Sequence, residues 1–266
     1  MKKVNELINK YQNIIKKYEK DENVIFTLIE YLTGIYRSEL FLKSDIEIDE
    51  ALLKSYIDMY CSGKSIQYIT NTAYFLGREF YVDENVLIPR FETEEVVLKA
   101  IEVIKKYDIK KIYEVGSGSG VIAITLNLEC GVAIDSVDIS PSAVSIAKKN
   151  NNNLRAKANF FLGNIMDGIE DQYEMIISNP PYIPNDGFVA TETLENEPSL
   201  ALFGGDDGLD FYRAIINDAV KLENIKFIVF EIGFNQRKAI EQLWRNTEIF
   251  QDINGNDRIA VLDMRR

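Results

Sequence analysis

The chain has 266 residues, 42 acidic against 30 basic for a net charge of −12, with 46% hydrophobic and 27% charged side chains, the balance of an ordinary soluble protein long enough for two cores. It contains no histidine, which removes Ser-His-Asp and Cys-His catalysis and most zinc sites, and its acidity argues against a nucleic-acid substrate, whose binding relies on neutralising phosphates. No apolar run reaches the roughly 18 residues of a membrane helix, and Met1-Lys2-Lys3-Val4-Asn5-Glu6 enters an amphipathic pattern without a signal-like apolar core, so no membrane partner is expected and the chain reads as cytoplasmic.

From Lys2 to Lys20, apolar residues such as Val4, Leu7, Ile8, Tyr11 and Ile15 keep the spacing of one helix face. Further helices are predicted over Val24–Tyr36 and Asp49–Tyr60, making a small bundle. Ser65–Thr70, Ala73–Leu76 and Phe80–Val82 read as extended segments of a hairpin connector. The predicted domains are residues 1–85, a helical bundle and hairpin that dock the substrate protein, and residues 86–266, the catalytic part. Cys61 and Cys130 lie without metal-ligand spacing and read as buried free thiols, so no metal site is expected.

A helix over Glu92–Lys106 follows, and then strand and helix alternate, which implies an α/β fold with a doubly wound, mostly parallel sheet. Predicted strands are Lys111–Val115, Val132–Asp138, Asn159–Leu162, Glu174–Ser178 and Lys226–Ile232. Ser140 caps the helix that Pro141 opens. Two more strands, Ile249–Ile253 and Arg258–Asp263, form a closing hairpin around Asn254-Gly255-Asn256 and bring the sheet to seven. The connection from Ile183 to about Asp207 is too long for an idle loop and reads as a lid or substrate loop.

Four strand ends carry chemistry. Gly116-Ser117-Gly118-Ser119-Gly120 lets backbone approach a ligand closely, and Asp138, about twenty residues beyond, is placed to accept from two ribose hydroxyls. The glycines are spaced G-x-G-x-G with Glu114 before them, which favours S-adenosylmethionine over a nicotinamide cofactor. Asn164 and Ile165, after the third strand, are placed to meet the adenine. At the fourth strand end stands Asn179-Pro180-Pro181-Tyr182. Its prolines fix the backbone and remove two donors while keeping two carbonyl acceptors. The Asn179 side-chain oxygen and the Pro180 carbonyl suit an –NH2 group, with the Tyr182 ring face laid against it. An amide or aromatic amine nitrogen is a poor nucleophile because its lone pair is delocalised. Two acceptors on its hydrogens favour the pyramidal form, and the ring adds a cation–π contribution of roughly 0.5–2 kcal/mol.

These residues resemble the peptide-chain-release-factor glutamine N5-methyltransferases, of the class I S-adenosylmethionine-dependent methyltransferase fold. The resemblance runs from Gln67 onward and includes Val86-Leu87-Ile88-Pro89-Arg90, Glu92-Thr93-Glu94, Glu197-Pro198, Gly204-Gly205, Asp207-Gly208-Leu209, Glu231-Ile232-Gly233 and Gln236. It implies methyl transfer to the side-chain amide of a loop glutamine in class I peptide chain release factors, with the N-terminal helices helping to recognise that partner. It also implies that Gly116 to Gly120, Asp138, Asn164 and Ile165 bind the cofactor, that Asn179 borders both ligands, and that Asn179, Pro180, Pro181 and Tyr182 hold the substrate amide. Three positions depart from the family pattern. Phe91 stands where proline is usual, Asn164 where aspartate is usual and Ile165 where an aromatic is common; the last two bear on adenine binding.

The same tetrapeptide suits any exocyclic amine, so adenine-N6 or guanine-N2 methylation of DNA or RNA, on a flipped base, is the alternative. The remaining rival is a nucleotide-binding module that docks a protein without catalysis.

Overall fold

A computed structural model describes residues 4–40, 46–167 and 169–265, and the chain divides into two units, Met1–Thr72 and Ala73–Arg266. The predicted start of the first helix, at Lys2, lies outside the described residues.

In the first unit, α1 (Val4–Lys16), α2 (Val24–Thr33) and α4 (Glu50–Cys61) bury the predicted faces, and a short α3 (Arg37–Leu40) joins them. Helix α2 stops three residues before its predicted end because Gly34 takes a left-handed conformation, φ 68°, and its N–H donates to the Glu30 carbonyl. Asp49 caps α4 by accepting from Ala51 N and Leu52 N, both at 3.0 Å. Residues 66–70 are not extended. They form α5 (Ile66–Thr70), in which Tyr68, Ile69 and Thr70 are all buried. Three consecutive buried side chains cannot share one face of a strand, so packing overrides the β propensity of this segment.

The second unit begins earlier than the predicted boundary near residue 85. The hairpin β1 (Thr72–Phe75) and β2 (Arg78–Tyr81) sends Phe75 and Phe80, ring centroids 6.2 Å apart, into the core beneath α6 (Phe91–Tyr107). The hairpin therefore folds with the sheet domain. After α6 come β3 (Lys111–Val115), α7 (Val121–Cys130), β4 (Ala133–Asp138), α8 (Pro141–Asn153), β5 (Asn159–Leu162) and β6 (Met175–Ser178). The remaining elements are α9 (Thr191–Asn196), a 3-10 turn (Ser199–Ala201), α10 (Asp210–Ala219), β7 (Phe227–Glu231), α11 (Arg237–Leu243), β8 (Thr247–Gln251) and β9 (Asp257–Asp263).

The seven-stranded sheet runs β5-β4-β3-β6-β7-β9-β8. Strands β5 to β7 are parallel, and β9 enters antiparallel between β7 and β8. Residues alternate between two cores. Met175 and Ile177 of β6 pack with α6 and α7, whereas Ile176 faces the core containing Tyr212, Ile215 and Ile216 of α10. All of β6 and β7 is buried, as expected for central parallel strands covered on both sides. The order reverses between β3 and β6, so their carboxyl ends flank the crevice where open α/β sheets bind ligands. Among the described residues no helix is long and apolar enough to cross a membrane. Cys61 and Cys130 are free and half-buried.

Candidate active site

Pairing of Val115 with Val137 on one side and Ser178 on the other brings the ends of β3, β4 and β6 level. The three motifs that begin there meet at one edge. A cavity of about 280 Å³ opens between them, lined by Gly116 to Ser119, Asp138, Asn164, Ile165, Asn179, Pro180 and Pro181. Gly120 is outside that lining: a side chain there would meet Ile124 at 3.0 Å and Ala147 at 3.1 Å, so this glycine serves the packing of α7 on α8.

The glycine loop fits a ligand that needs close approach. Gly116 and Gly118 have φ of 83° and 49°, a region glycine enters without the strain other residues meet there, and around Gly118 a Cβ would find nothing within 4 Å. Asp138 holds the loop in place. Its Oδ2 accepts from Gly118 N at 2.9 Å and its Oδ1 from Ser140 N at 2.9 Å. Oδ2 also takes the Ser117 hydroxyl at 3.4 Å, so it is Oδ1, with one acceptor site used, that retains capacity for a ligand. Behind the loop, Glu114 is fully buried, and burial pushes its carboxyl up to about 8 although Ser136 Oγ donates to it at 2.5 Å.

On the turn after β5, Asn164 N donates to Asp167 Oδ2 at 2.9 Å, and Ile165 sits at φ 44°, an uncommon conformation for a β-branched residue. Both border the cavity.

Asn179 is presented as its sequence suggests, at the end of β6, and its side chain is held from an unexpected direction. Asn179 Nδ2 donates to Thr93 Oγ1 at 3.0 Å, and Thr93 Oγ1 donates to Glu231 Oε2 at 2.6 Å. Glu231 ends β7, and burial pushes its carboxyl up to about 7 against the Thr93 hydroxyl and the nearby Arg258 charge. The other Glu231 oxygen accepts from the Tyr182 hydroxyl at 3.3 Å.

Tyr182 is the one member of the tetrapeptide that does not line the cavity. Its ring packs on the core of α10, its carbonyl accepts from Gln236 Nε2 at 3.1 Å, and its hydroxyl is drawn to Glu231. The hydroxyl contact holds the Tyr182 side chain toward Glu231, while the carbonyl contact fixes its backbone. Burial and the neighbouring carboxylate raise the Tyr182 hydroxyl above the usual tyrosine range.

Several residues whose roles spacing could not assign also form the back of this corner. A Cβ on Gly204 would collide with the Pro181 carbonyl and one on Gly208 with that of Tyr182, so the two chain segments touch only because both are glycine. Gln236 ties Tyr182 O to Gly208 O, 3.1 Å to each. The predicted substrate loop supplies Pro198, Leu200 and Ala201 to the cavity wall. Among the described residues no group of histidine, cysteine or carboxylate side chains could hold a metal ion.

Residues 95–196 match the Methyltransferase small domain family. The chain is 34% identical over 98% of its length to the release factor glutamine methyltransferase of Bacillus cereus (strain ATCC 14579), covering 99% of that protein. It is 35% identical over 97% of its length to that of Bacillus subtilis (strain 168), covering 96%. Among solved structures, the catalytic domain of hMettl16 in complex with the MAT2A 3′UTR hairpin 6 shares the fold, with a TM-score of 0.58, 14% identity, 78% of this chain and 92% of that one. The chain is a methyltransferase whose donor is S-adenosylmethionine. With near-complete coverage in both directions at above 30% identity, it belongs to the release factor glutamine methyltransferase family.

Proposed function

We propose that the chain methylates the side-chain nitrogen of a glutamine in a class I peptide chain release factor, in the cytoplasm, and that its N-terminal helices help to dock that partner. The observation that carries this reading is the placement of Asn179 and Pro180 in the same cavity as the glycine loop and Asp138. A donor held on one strand end and an acceptor group on the next then lie within one enclosed space.

In this reading Gly116 to Ser119 receive the cofactor's carboxyl-bearing end through backbone, Asp138 accepts from the ribose hydroxyls, and Asn164 and Ile165 border the adenine. The cofactor supplies a methyl carbon made electrophilic by its sulfonium and leaves as the neutral thioether. Asn179 Oδ1 and the Pro180 carbonyl each accept one hydrogen of the substrate amide, orient its nitrogen and stabilise the positive charge that grows there. The methylated, protonated amide is a strong acid and loses its proton to water, so no base is required, consistent with a chain that has no histidine.

Mass spectrometry of a release factor incubated with the enzyme and S-adenosylmethionine tests this. One added methyl on a glutamine side chain is expected. Methyl transfer to DNA or RNA with none to the release factor would favour the adenine-N6 or guanine-N2 reading; the net charge of −12 opposes it.

A further inference from the structure

Asn179 can act as described only if its amide presents oxygen, and not –NH2, to the incoming nitrogen. Nothing on β6 decides this, because the two ends of an asparagine amide have nearly the same shape. The decision comes from α6 and β7. Glu231 is 2% exposed and Thr93 3%, so neither borrows its hydrogen bonds from bulk water. Both Glu231 oxygens accept: Oε2 takes the Thr93 hydroxyl at 2.6 Å and Oε1 the Tyr182 hydroxyl at 3.3 Å. A threonine hydroxyl has one hydrogen, and with Glu231 ionised it is committed to the carboxylate. Toward Asn179, Thr93 can therefore only accept, and the one Asn179 group able to donate is Nδ2, found 3.0 Å away. Among the described residues Asn179 Oδ1 has no hydrogen-bond partner.

We propose that Thr93 and Glu231 are positioning residues that set the polarity of the Asn179 amide, the carboxylate fixing the hydroxyl and the hydroxyl fixing the –NH2, so that Oδ1 alone remains for the substrate nitrogen. The same carboxylate anchors Tyr182, so one buried group aligns both ends of the tetrapeptide. A hydrogen-bond chain of this kind acts as a unit, which gives it a signature that general loss of stability lacks.

The kinetic part of the test rests on the substrate reading above. Thr93→Val preserves shape and removes the acceptor. It should lower kcat roughly ten- to hundredfold, the cost of a misplaced catalytic group, with a smaller change in KM, and Thr93→Ser should restore most of the loss. In an Asn179→Ala background the same Thr93→Val change should alter kcat by less than about twofold, since the group it positions is gone. Equal factors in both backgrounds would show a structural role and overturn the proposal.

A second readout needs no substrate. In ¹⁵N-labelled protein the Asn179 side-chain –NH2 signal, identified by its loss in Asn179→Ala, should exchange slowly with solvent and lose that protection in Thr93→Val. An unprotected signal in the unaltered protein overturns the proposal. A protected signal together with no methylation of the release factor overturns the substrate reading alone.

Discussion

Arg90, at the N-terminal end of α6, and Glu197, just past α9, form an ion pair at 2.5 Å in which the Glu197 side chain is 3% exposed. The pair ties the segment after α9 to the cavity rim, and the second Glu197 oxygen, Oε2, has no hydrogen-bond partner among the described residues. Removing Arg90 would leave a buried carboxylate uncompensated. Arg90→Met should therefore lower unfolding free energy by roughly 3 kcal/mol, and a double variant with Glu197→Gln should recover most of that loss, as read from urea denaturation midpoints.

Asn179→Ala removes one of the two acceptors proposed for the substrate amide. Turnover should fall roughly a hundredfold or more, the usual cost of deleting a charge-stabilising group, while the cofactor's dissociation constant, measured by calorimetry, changes little. Near-normal turnover would refute the role assigned to this residue.

Gly204 has an ordinary backbone conformation, so a substitution there tests space alone. Its added methyl would run into the Pro181 carbonyl, and Gly204→Ala should displace the tetrapeptide, costing roughly 1–3 kcal/mol and lowering kcat. Gly255 is the converse case, with φ 80° and nothing within 4 Å. Gly255→Ala should cost about 1 kcal/mol through backbone strain and leave kcat intact. Parallel loss of activity in both variants would show that the Gly204 effect is global.

Burial raises the carboxyls of Glu114 and Glu231 from the ordinary glutamate value of about 4.5 to about 8 and about 7 in the folded chain. Between those values the folded state holds protons that the unfolded state has released. Stability is therefore greatest below about pH 4.5 as far as these two groups are concerned, and is lost as pH climbs toward 8. With no histidine in the chain, no imidazole titration obscures that window. Melting temperatures taken from pH 5 to pH 9 should decline and then level off, and Glu114→Gln should flatten most of the decline. An unchanged slope in that variant would place its origin elsewhere.

Much of the site could be read from residue order because its chemistry is local. Two prolines hold Asn179 whatever surrounds them, Ser140 and Pro141 start α8 in any context, and glycines at alternate positions define a loop that follows a strand. Parallel pairing then carries the separate motifs to one edge. The anchoring of Tyr182 was not legible, because Gln236, which holds its carbonyl, and Glu231, which holds its hydroxyl, lie 54 and 49 positions away.

Sequence alone determined which groups the chain has to offer: a glycine loop, an acid at the next strand end, and a rigid turn rich in acceptors. Tertiary structure decided how those groups are aimed. It made residues 66–70 a helix by burying three consecutive side chains, and it assigned the hairpin to the sheet domain through Phe75 and Phe80. It also set the Asn179 amide through Thr93, 86 positions away, and Thr93 through Glu231, 138 positions away. Backbone propensity acts over a few residues, whereas the sharing of a hydrogen between side chains depends on which distant segments folding brings within 3 Å.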